Sequence, residues 1–222
     1  MVDYSLTRSR RKTLCIRIRD GAVFVGAPLH MSSAEIERFV ASKERWIAEK
    51  LAVSREQMAK RGAFHLDYGG RLLYRGWECP IRAAESGPGY DGSAFLVPPG
   101  LGGEGIKAAC IQIYRSQAAL LFPEKVRLYS QVMGAYPTSV RVINAKTRWG
   151  CCSPQGKLNF SWRLMMAADA TIDYVVVHEL AHLFEMNHSK RFWAVVGHFM
   201  PDYRERIGHL RALQKRLACE NW

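Results

Sequence analysis

Residues 178–182 read His-Glu-Leu-Ala-His, and five residues separate the second of these histidines from His188. Two histidines four positions apart on a helix lie on one face, one turn apart, so both imidazoles can reach one metal ion. Glu179 lies on the adjacent flank, where its carboxylate can reach a water bound to that metal. His188, after a short break in the helix, supplies a third ligand and leaves one coordination position open. An open position is typical of a catalytic zinc site rather than a structural one, so the stretch predicts a zinc-dependent hydrolase.

The segment around this HExxH motif predicts a buried helix followed by a turn and a second helix. Asp169 or Thr171 can cap the first helix, whose surface is apolar on most sides. Polar side chains on a buried helix need partners, and a metal ion provides them. Asn187 is expected to adopt the left-handed conformation that ends helices. Ser189 is expected to cap the helix that follows, from Lys190 to Met200.

The residue types also predict how the site works. Neutral imidazoles leave most of the charge of Zn2+ uncompensated, which lowers the pKa of a bound water to about 7. Glu179 would accept the proton of that water and later deliver it to the leaving group. A further donor should stabilise the developing oxyanion; the candidates are Arg148, Asn159 and Tyr203. The ligand histidines also need hydrogen-bond acceptors behind them; the candidates are Asp173, Glu185 and Asp202.

The chain before the motif divides at a stretch rich in glycine and proline, residues 98–105. Residues 1–102 predict a strand-rich N-terminal lobe with one long helix. A strand with alternating apolar and basic residues precedes an Asp-Gly turn at residues 20–21. The long helix starts with a capping box of Ser32 and Glu35, reaches about Lys60 and is closed by Gly62.

Residues 103–222 predict a hydrolase domain, unless the two parts form one continuous domain. A helix from Ile106 is either kinked or restarted at Pro123, and Gly134 closes it. Short strands follow at residues 139–143, 149–153 and 157–161, directly before the motif helix. The expected fold class is therefore α+β, with a short sheet and an active-site helix in the C-terminal half.

Composition limits the setting in which such a protein works. The 222 residues contain no apolar run of about 18 residues, and the basic N-terminus lacks the apolar run of a signal peptide. The six cysteines form no Cys-x-x-Cys pair, which argues against a cysteine-based zinc site. We therefore expect a cytoplasmic protein without membrane partners.

The net charge of +12 permits a polyanion, either nucleotide or nucleic acid, to bind. Much of this charge lies in two clusters: Arg8, Arg10, Arg11, Lys12, Arg17 and Arg19, and Arg204, Arg206, Arg211, Lys215 and Arg216.

A series of short motifs in the C-terminal half resembles the YgjP-like metallopeptidase-domain family, which is related to the SprT-like and other zincin proteins. The motifs are Arg-Trp-Gly-Cys-Cys-Ser at residues 148–153, Leu-Asn at 158–159, the run from Asp173 to His182, Asn-His-Ser at 187–189 and Phe-Trp at 192–193. The family usually has serine where this chain has Cys151. The resemblance implies a zincin-like fold, with metal ligands at His178, His182 and His188 and a catalytic glutamate at Glu179. Metzincins share the histidine spacing but have a glycine where this chain has Glu185.

Three functions agree with these features. The first is a metallopeptidase, that is, a protease whose protein or peptide substrate adds as an extended strand to the edge of the predicted sheet. The second is a metal-dependent hydrolase of nucleotide phosphate anhydrides, which the basic residues favour and the lack of a glycine-rich phosphate loop disfavours. The third is a DNA-associated SprT-like protease, which needs salt-sensitive binding of nucleic acid.

Overall fold

The computed structural model describes residues 2–222 and contains, within that span, ten strands, six α-helices and one 3-10 helix. The strands are β1 Ser5–Ser9, β2 Cys15–Arg19, β3 Ala22–Pro28, β4 Arg71–Tyr74, β5 Trp77–Ala83, β6 Gly89–Tyr90, β7 Phe95–Val97, β8 Ser139–Ile143, β9 Gly150–Cys152 and β10 Lys157–Ser161. The α-helices are α1 Ser33–Ser42, α2 Glu44–Ala63, α3 Gly103–Met133, α4 Asp169–Ala181, α5 Lys190–Phe199 and α6 Tyr203–Leu217. The 3-10 helix covers Trp162–Met166. The expected α+β class is confirmed.

The first of two compact units comprises the chain up to Phe64 together with Lys215–Trp222. Its sheet has the order β1-β3-β2, with β1 parallel and β2 antiparallel to β3. The turn at Asp20 and Gly21 has positive φ at both positions, as the Asp-Gly signal predicted. One face of the central strand is buried in the core of this unit with apolar side chains of α1 and α2, including Ile36 and Ile47.

The single long helix predicted between Ser32 and about Lys60 is wrong, because the chain forms two helices that meet at Lys43. The predicted capping box of Ser32 and Glu35 is present at the start of α1. Near the end of α1, the Ser42 hydroxyl donates to the Phe39 carbonyl at 2.7 Å and so offers the backbone an alternative to the helical ladder. Gly62 does not close α2 but lies within it.

The second unit, His65–Gln214, contains two sheets and the central helices. The first sheet has the order β4-β5-β7-β6, and the second has the order β8-β10-β9, with β8 parallel and β9 antiparallel to β10. The three strands predicted before the motif are therefore confirmed as one sheet. Helix α3 continues through Pro123 and ends at Gly134, which has a φ of 68° and is the predicted C-cap.

The compact units do not coincide with the two halves expected from the sequence, residues 1–102 and 103–222. Strands β4–β7 belong to the same unit as α3, because Tyr114 of α3 donates a hydrogen bond to the Leu73 carbonyl and its ring lies 4.9 Å from that of Phe95. The glycine- and proline-rich stretch is therefore a connection inside this unit. That residues 103–222 are the hydrolase domain stays a prediction.

None of the helices described between residues 2 and 222 has the length and apolar character needed to span a bilayer.

Candidate metal centre

Helix α4 carries the motif and is held by contacts at its N-terminal end. The sequence predicted Asp169 or Thr171 as its N-cap, but the N-cap is Ala168, which makes no side-chain capping bond. Asp169 instead lies in the first turn and accepts two hydrogen bonds from the guanidinium of Arg75, at 2.6 and 2.5 Å. Farther along, Lys125 of α3 forms an ion pair with Asp173 at 2.7 Å. These contacts connect α4 to the β4–β5 turn and to α3.

The β4–β5 turn also touches α4 directly. Gly76 has a φ of 87°, and a Cβ added to it would lie 2.9 Å from the Cβ of Ala168. Arg75, its neighbour, has a φ of 51° and donates its backbone N–H to the Met165 carbonyl at 2.7 Å. The turn therefore fits against the start of α4 only because position 76 has no side chain.

Three histidines come together at the other end of α4. The candidate ligand atoms of His178, His182 and His188 lie within 4.8 Å of one another, and the Nε2 atoms of His178 and His188 are 3.1 Å apart. Of all the described residues, these three form the one group of histidine, cysteine or acidic side chains close enough to hold a metal ion. The structure thus brings together the residues that the sequence predicted as ligands.

Hydrogen bonds on the far side of two rings fix their orientation. Nδ1 of His182 lies 3.2 Å from the backbone carbonyl of Glu185, and because a carbonyl only accepts, this nitrogen carries the proton and Nε2 keeps its lone pair. Nδ1 of His178 lies 3.3 Å from the hydroxyl of Tyr174. The prediction that carboxylates fill this role is not borne out for Asp173 and Asp202, whose carboxylates pair with Lys125 and Arg206.

The turn after α4 brings His188 back to the other two histidines. Asn187 does not adopt the predicted left-handed conformation, since Asp20 and Arg75 are the non-glycine residues of positive φ in the described chain. The side chain of Ser189 accepts from the backbone N–H of Phe192 at 3.3 Å, so the predicted cap of α5 is confirmed. The buried ring of Phe192 packs 4.5 Å from His182 and 4.7 Å from His188, which gives the histidines an apolar base.

The three imidazoles fit a divalent metal ion. Burial, followed by the charges of the other two histidines, lowers the pKa of His178 to about 3, and burial also lowers the pKa of His182. Both rings are therefore neutral near pH 7 and can donate a lone pair. A tetrahedral zinc ion holds its nitrogen ligands roughly 3.3 Å apart, close to the 3.1 Å between the Nε2 atoms of His178 and His188. Two unprotonated nitrogens at that distance repel each other unless a proton or a metal lies between them.

Glu179 lies beside the histidines in a tight backbone pocket. Its side chain is buried, its Oε2 has no hydrogen-bond partner in the described chain, and burial raises its pKa to about 8 against the opposing charge of Arg148. A Cβ added to Gly150 would lie 2.6 Å from its Oε1. Reasoning from the sequence missed this role of Gly150, and the glycine in the Arg-Trp-Gly motif was the available signal. A buried carboxylate without a partner is typical of a functional group.

A cleft of about 510 Å3 opens over Glu179, His178 and His188. Of the three predicted oxyanion donors, Arg148 lines this cleft, whereas its lining in the described chain includes neither Asn159 nor Tyr203. The Asn159 side chain lies 3.6 Å from Cys151 Sγ, and strand alternation puts both on the sheet face opposite Gly150 and Glu179.

Tyr203 lies behind the cleft rather than in it. Its ring stacks on Trp193, with centroids 5.2 Å apart and planes inclined by 21°, and Trp193 in turn contacts His178 and His188. Reasoning from the sequence also missed two arrangements, the bond between Tyr174 and His178 and the place of Trp193 in the cleft wall. Tyr174 was signalled by its position four residues before His178.

Comparison with known proteins gives one family and one solved structure. A family model described as YgjP-like, metallopeptidase domain, matches residues 12–213. A search of curated protein sequences found no match. The crystal structure of the metallopeptidase zymogen of Pyrococcus abyssi abylysin is 20% identical, with a TM-score of 0.39, and the likeness covers 41% of this chain and 93% of that one.

Proposed function

The chain belongs to the YgjP-like metallopeptidase-domain family, and from that membership we propose that it is a zinc metallopeptidase whose metal is held by His178, His182 and His188. The resemblance in the sequence is thus confirmed, and with it a metal-dependent hydrolase as the class of enzyme. The proposal is carried by one observation: three imidazoles converge beside the buried carboxylate of Glu179, whose Oε2 has no hydrogen-bond partner among the described residues. A cytoplasmic location stays a prediction.

The chemistry divides between the metal and the protein. A zinc ion held by the three histidines would supply Lewis acidity, which lowers the pKa of a water and polarises the carbonyl under attack. The carboxylate of Glu179 takes a proton from the attacking water and delivers it to the nitrogen of the leaving amine, as the carbon–nitrogen bond breaks. Burial favours the protonated form of Glu179, and a neighbouring cation favours the charged form. Glu179 can therefore both accept and release the proton.

Arg148 is the best supported of the three predicted oxyanion donors. It lines the cleft and lies close enough to lower the pKa of Glu179 by its charge. An exposed guanidinium at that place can donate to the substrate oxygen on which negative charge develops. The positions of Asn159, on the other sheet face, and of Tyr203, behind Trp193, do not support such a role for them.

A peptide can approach along the sheet beside α4. Within the described chain, β9 pairs with β10 and leaves its other edge free, because the strand order is β8-β10-β9. Gly150, on this edge strand, is the residue that contacts Glu179. An extended peptide that pairs with β9 would therefore carry its backbone carbonyls past Glu179, which is the β-augmentation expected from the sequence.

Replacing Glu179 by glutamine tests the mechanism. The amide has nearly the same shape, so the variant should fold and keep its metal while cleavage of unfolded proteins falls by about 10³-fold. Metal content is measured by mass spectrometry and cleavage by peptide release from a broad panel of unfolded proteins. Glu185→Gln is the matched control and should cleave normally, because the backbone carbonyl of Glu185, not its carboxylate, contacts His182. Equal cleavage by Glu179→Gln and the parent chain would contradict the proposal.

A second function has a specific observation in its favour. Arg148 and Arg211 line the cleft together with Trp149 and Trp193, a set that can bind the phosphates and the base of a nucleotide. A panel of nucleoside triphosphates with zinc distinguishes the two functions. Metal-dependent release of phosphate or pyrophosphate that is lost in Glu179→Gln, without cleavage of any protein, would establish the anhydride hydrolase instead.

A further inference from the structure

The sheet of the first unit has one face that the core does not use. Along the central strand β3, Val23 and Val25 are buried, whereas Ala22 and Phe24, which alternate with them, are exposed. The Phe24 side chain is 41% exposed although it lies on the middle strand. A groove of about 620 Å3 runs over this face, past residues of all three strands. This face lies outside the candidate metal centre, which belongs to the other unit.

Arginines surround the exposed ring. Arg17 is the register partner of Phe24 on β2, and Arg19 is the partner of Ala22 on the same side of the strand. Arg11 reaches over Gly26, where an added Cβ would lie only 2.0 Å from its Nη1. Glycine at that position therefore lets the guanidinium rest against the strand. We call this set, Arg11, Arg17, Arg19 and Phe24, the arginine face.

The charge of the arginine face is almost uncompensated. Of the described residues that line the groove, none is acidic. Asp20 lies 3.3 Å from Arg19, but both groups are more than half exposed, and such a pair contributes little and exchanges readily with another anion. Arg17 forms no ion pair in the part of the chain that the structure describes, and the Nε of Arg11 has no hydrogen-bond partner there. The arginine face therefore carries positive charge that a polyanion can neutralise.

The exposed phenylalanine decides which polyanion fits. We propose that the arginine face binds single-stranded nucleic acid, with a base stacked on Phe24 and the neighbouring phosphates held by Arg11, Arg17 and Arg19. Unpaired bases offer their faces to an aromatic ring, whereas duplex bases are stacked on one another and do not. Three strands span only about 10 Å, which suits a short stretch of one strand. The aspartate and glutamate side chains of an acidic peptide match the charge, but they carry no ring to stack on Phe24.

This proposal does not depend on the metallopeptidase activity. The binding assay therefore uses the full chain carrying Glu179→Gln, in which any nuclease or peptidase action of the centre is disabled. Fluorescence anisotropy with labelled oligo-dT and oligo-U of about 12 nucleotides measures affinity between about 50 and 200 mM salt, a range over which the Debye length falls about twofold. Duplex of the same length, poly-glutamate and anionic lipid vesicles are the competitors.

Two variants separate stacking from charge. Phe24→Leu keeps an apolar side chain and should weaken oligonucleotide binding about tenfold without changing the salt dependence, because only stacking is lost. Arg17→Gln combined with Arg19→Gln should weaken binding and reduce the slope of log affinity against log salt by roughly 1.4, since each phosphate contact to a single strand contributes about 0.7.

A charge-matched control lies on α2, which packs on the opposite side of the sheet. Arg45→Gln combined with Lys50→Gln removes the same charge from exposed positions of the same unit and should leave affinity within about twofold. Thermal melts confirm that every variant is folded. The proposal is overturned if the oligonucleotides do not bind at about 50 mM salt, or if the control variant loses as much affinity as the arginine variant. It is also overturned if Phe24→Leu binds like the parent chain, or if duplex, poly-glutamate or vesicles compete as well as the single strand.

Discussion

At the scale of single residues, the backbone at Gly150 lies so close to the carboxylate of Glu179 that no side chain fits between them. A Cβ at position 150 would lie 2.6 Å from Oε1 and 2.7 Å from Cγ of Glu179, so the carboxylate must move to admit it. A displacement of about 1 Å in a reacting group costs on the order of 10²-fold in rate. Gly150 thus positions Glu179 without contacting a substrate through a side chain of its own.

Gly150→Ala is therefore expected to retain its metal and lose about 10²-fold in kcat. Cleavage rates and metal content are measured on the same preparation. Gly89→Ala is the control, because an added Cβ there meets nothing within 4 Å, and it should keep full activity. Normal kcat in Gly150→Ala would show that Glu179 does not need its present position.

Tyr174 acts on the ligand His178 rather than on a reacting atom. Its hydroxyl lies 3.3 Å from Nδ1 of His178, on the side of the ring away from the other histidines. Groups behind metal ligands fix the tautomer and orientation of the imidazole, and their loss weakens metal binding about 10- to 100-fold. Tyr174→Phe keeps the buried ring and removes only this contact.

A chelator competition assay should therefore give Tyr174→Phe a weaker zinc affinity by about 10- to 100-fold, while kcat at saturating zinc stays close to that of the parent. Tyr136→Phe serves as the control, since Tyr136 is 70% exposed. Unchanged zinc affinity in Tyr174→Phe would mean that the hydroxyl does not orient His178.

At the scale of elements, the place of α4 depends on contacts from parts of the chain distant in sequence. The ion pair of Arg75 with Asp169 and the fit of Gly76 against Ala168 connect the start of α4 to the β4–β5 turn. Because α4 carries two of the proposed ligands and Glu179, a shift of this helix would move three functional side chains together. Arg75 and Asp169 are 94 residues apart in sequence, so local propensity could not reveal this contact.

Substituting two glycines distinguishes the destabilisation caused by the close contact with Ala168 from that caused by a left-handed backbone. Gly69 and Gly76 both have a φ of 87°, but an added Cβ meets nothing at Gly69 and meets Ala168 at 2.9 Å at Gly76. Gly69→Ala should lower the free energy of unfolding by about 1–2 kcal/mol, the cost of a left-handed alanine. Gly76→Ala should lower it by about 1–3 kcal/mol more, the cost of overpacking.

Urea denaturation of both variants measures the difference. Equal losses of unfolding free energy in the two variants would show that the start of α4 does not pack tightly against the turn.

At the scale of the whole molecule, metal binding should couple to stability. A ligand that binds only the folded chain stabilises it by about 4 kcal/mol at a concentration 1,000 times its Kd. For a unit of the size of His65–Gln214, this corresponds to a rise in Tm of roughly 8–16 °C. Zinc should thus raise the Tm of the metal-free chain. Magnesium, which prefers oxygen ligands, should not.

His188→Ala provides the matched comparison for this measurement. Its ring is exposed, so the substitution should not unfold the chain, but the third ligand is lost. Calorimetry should show a much smaller zinc-dependent shift in this variant than in the parent. Equal shifts in both would mean that zinc binds elsewhere on the molecule.

The sequence by itself determined the local features of this protein. The Asp-Gly turn, the capping box at Ser32, the caps at Ser189 and Gly134 and the three strands before α4 all follow from interactions between residues a few positions apart. The histidine spacing predicted that His178 and His182 share a helix face, because the helical period alone determines this. Four local predictions failed: the unbroken helix across Lys43, the closure of that helix at Gly62, the N-cap of α4 at Asp169 or Thr171, and the left-handed backbone of Asn187.

The tertiary structure decided everything that depends on residues distant in sequence. It brought Gly150 against Glu179 and put Arg148 but not Asn159 in the cleft. It also divided the chain near Phe64 rather than at the glycine- and proline-rich stretch. These outcomes depend on packing between helices and strands. A single sequence does not predict which side chains pack together, because many combinations of similar size and polarity are compatible with a folded core.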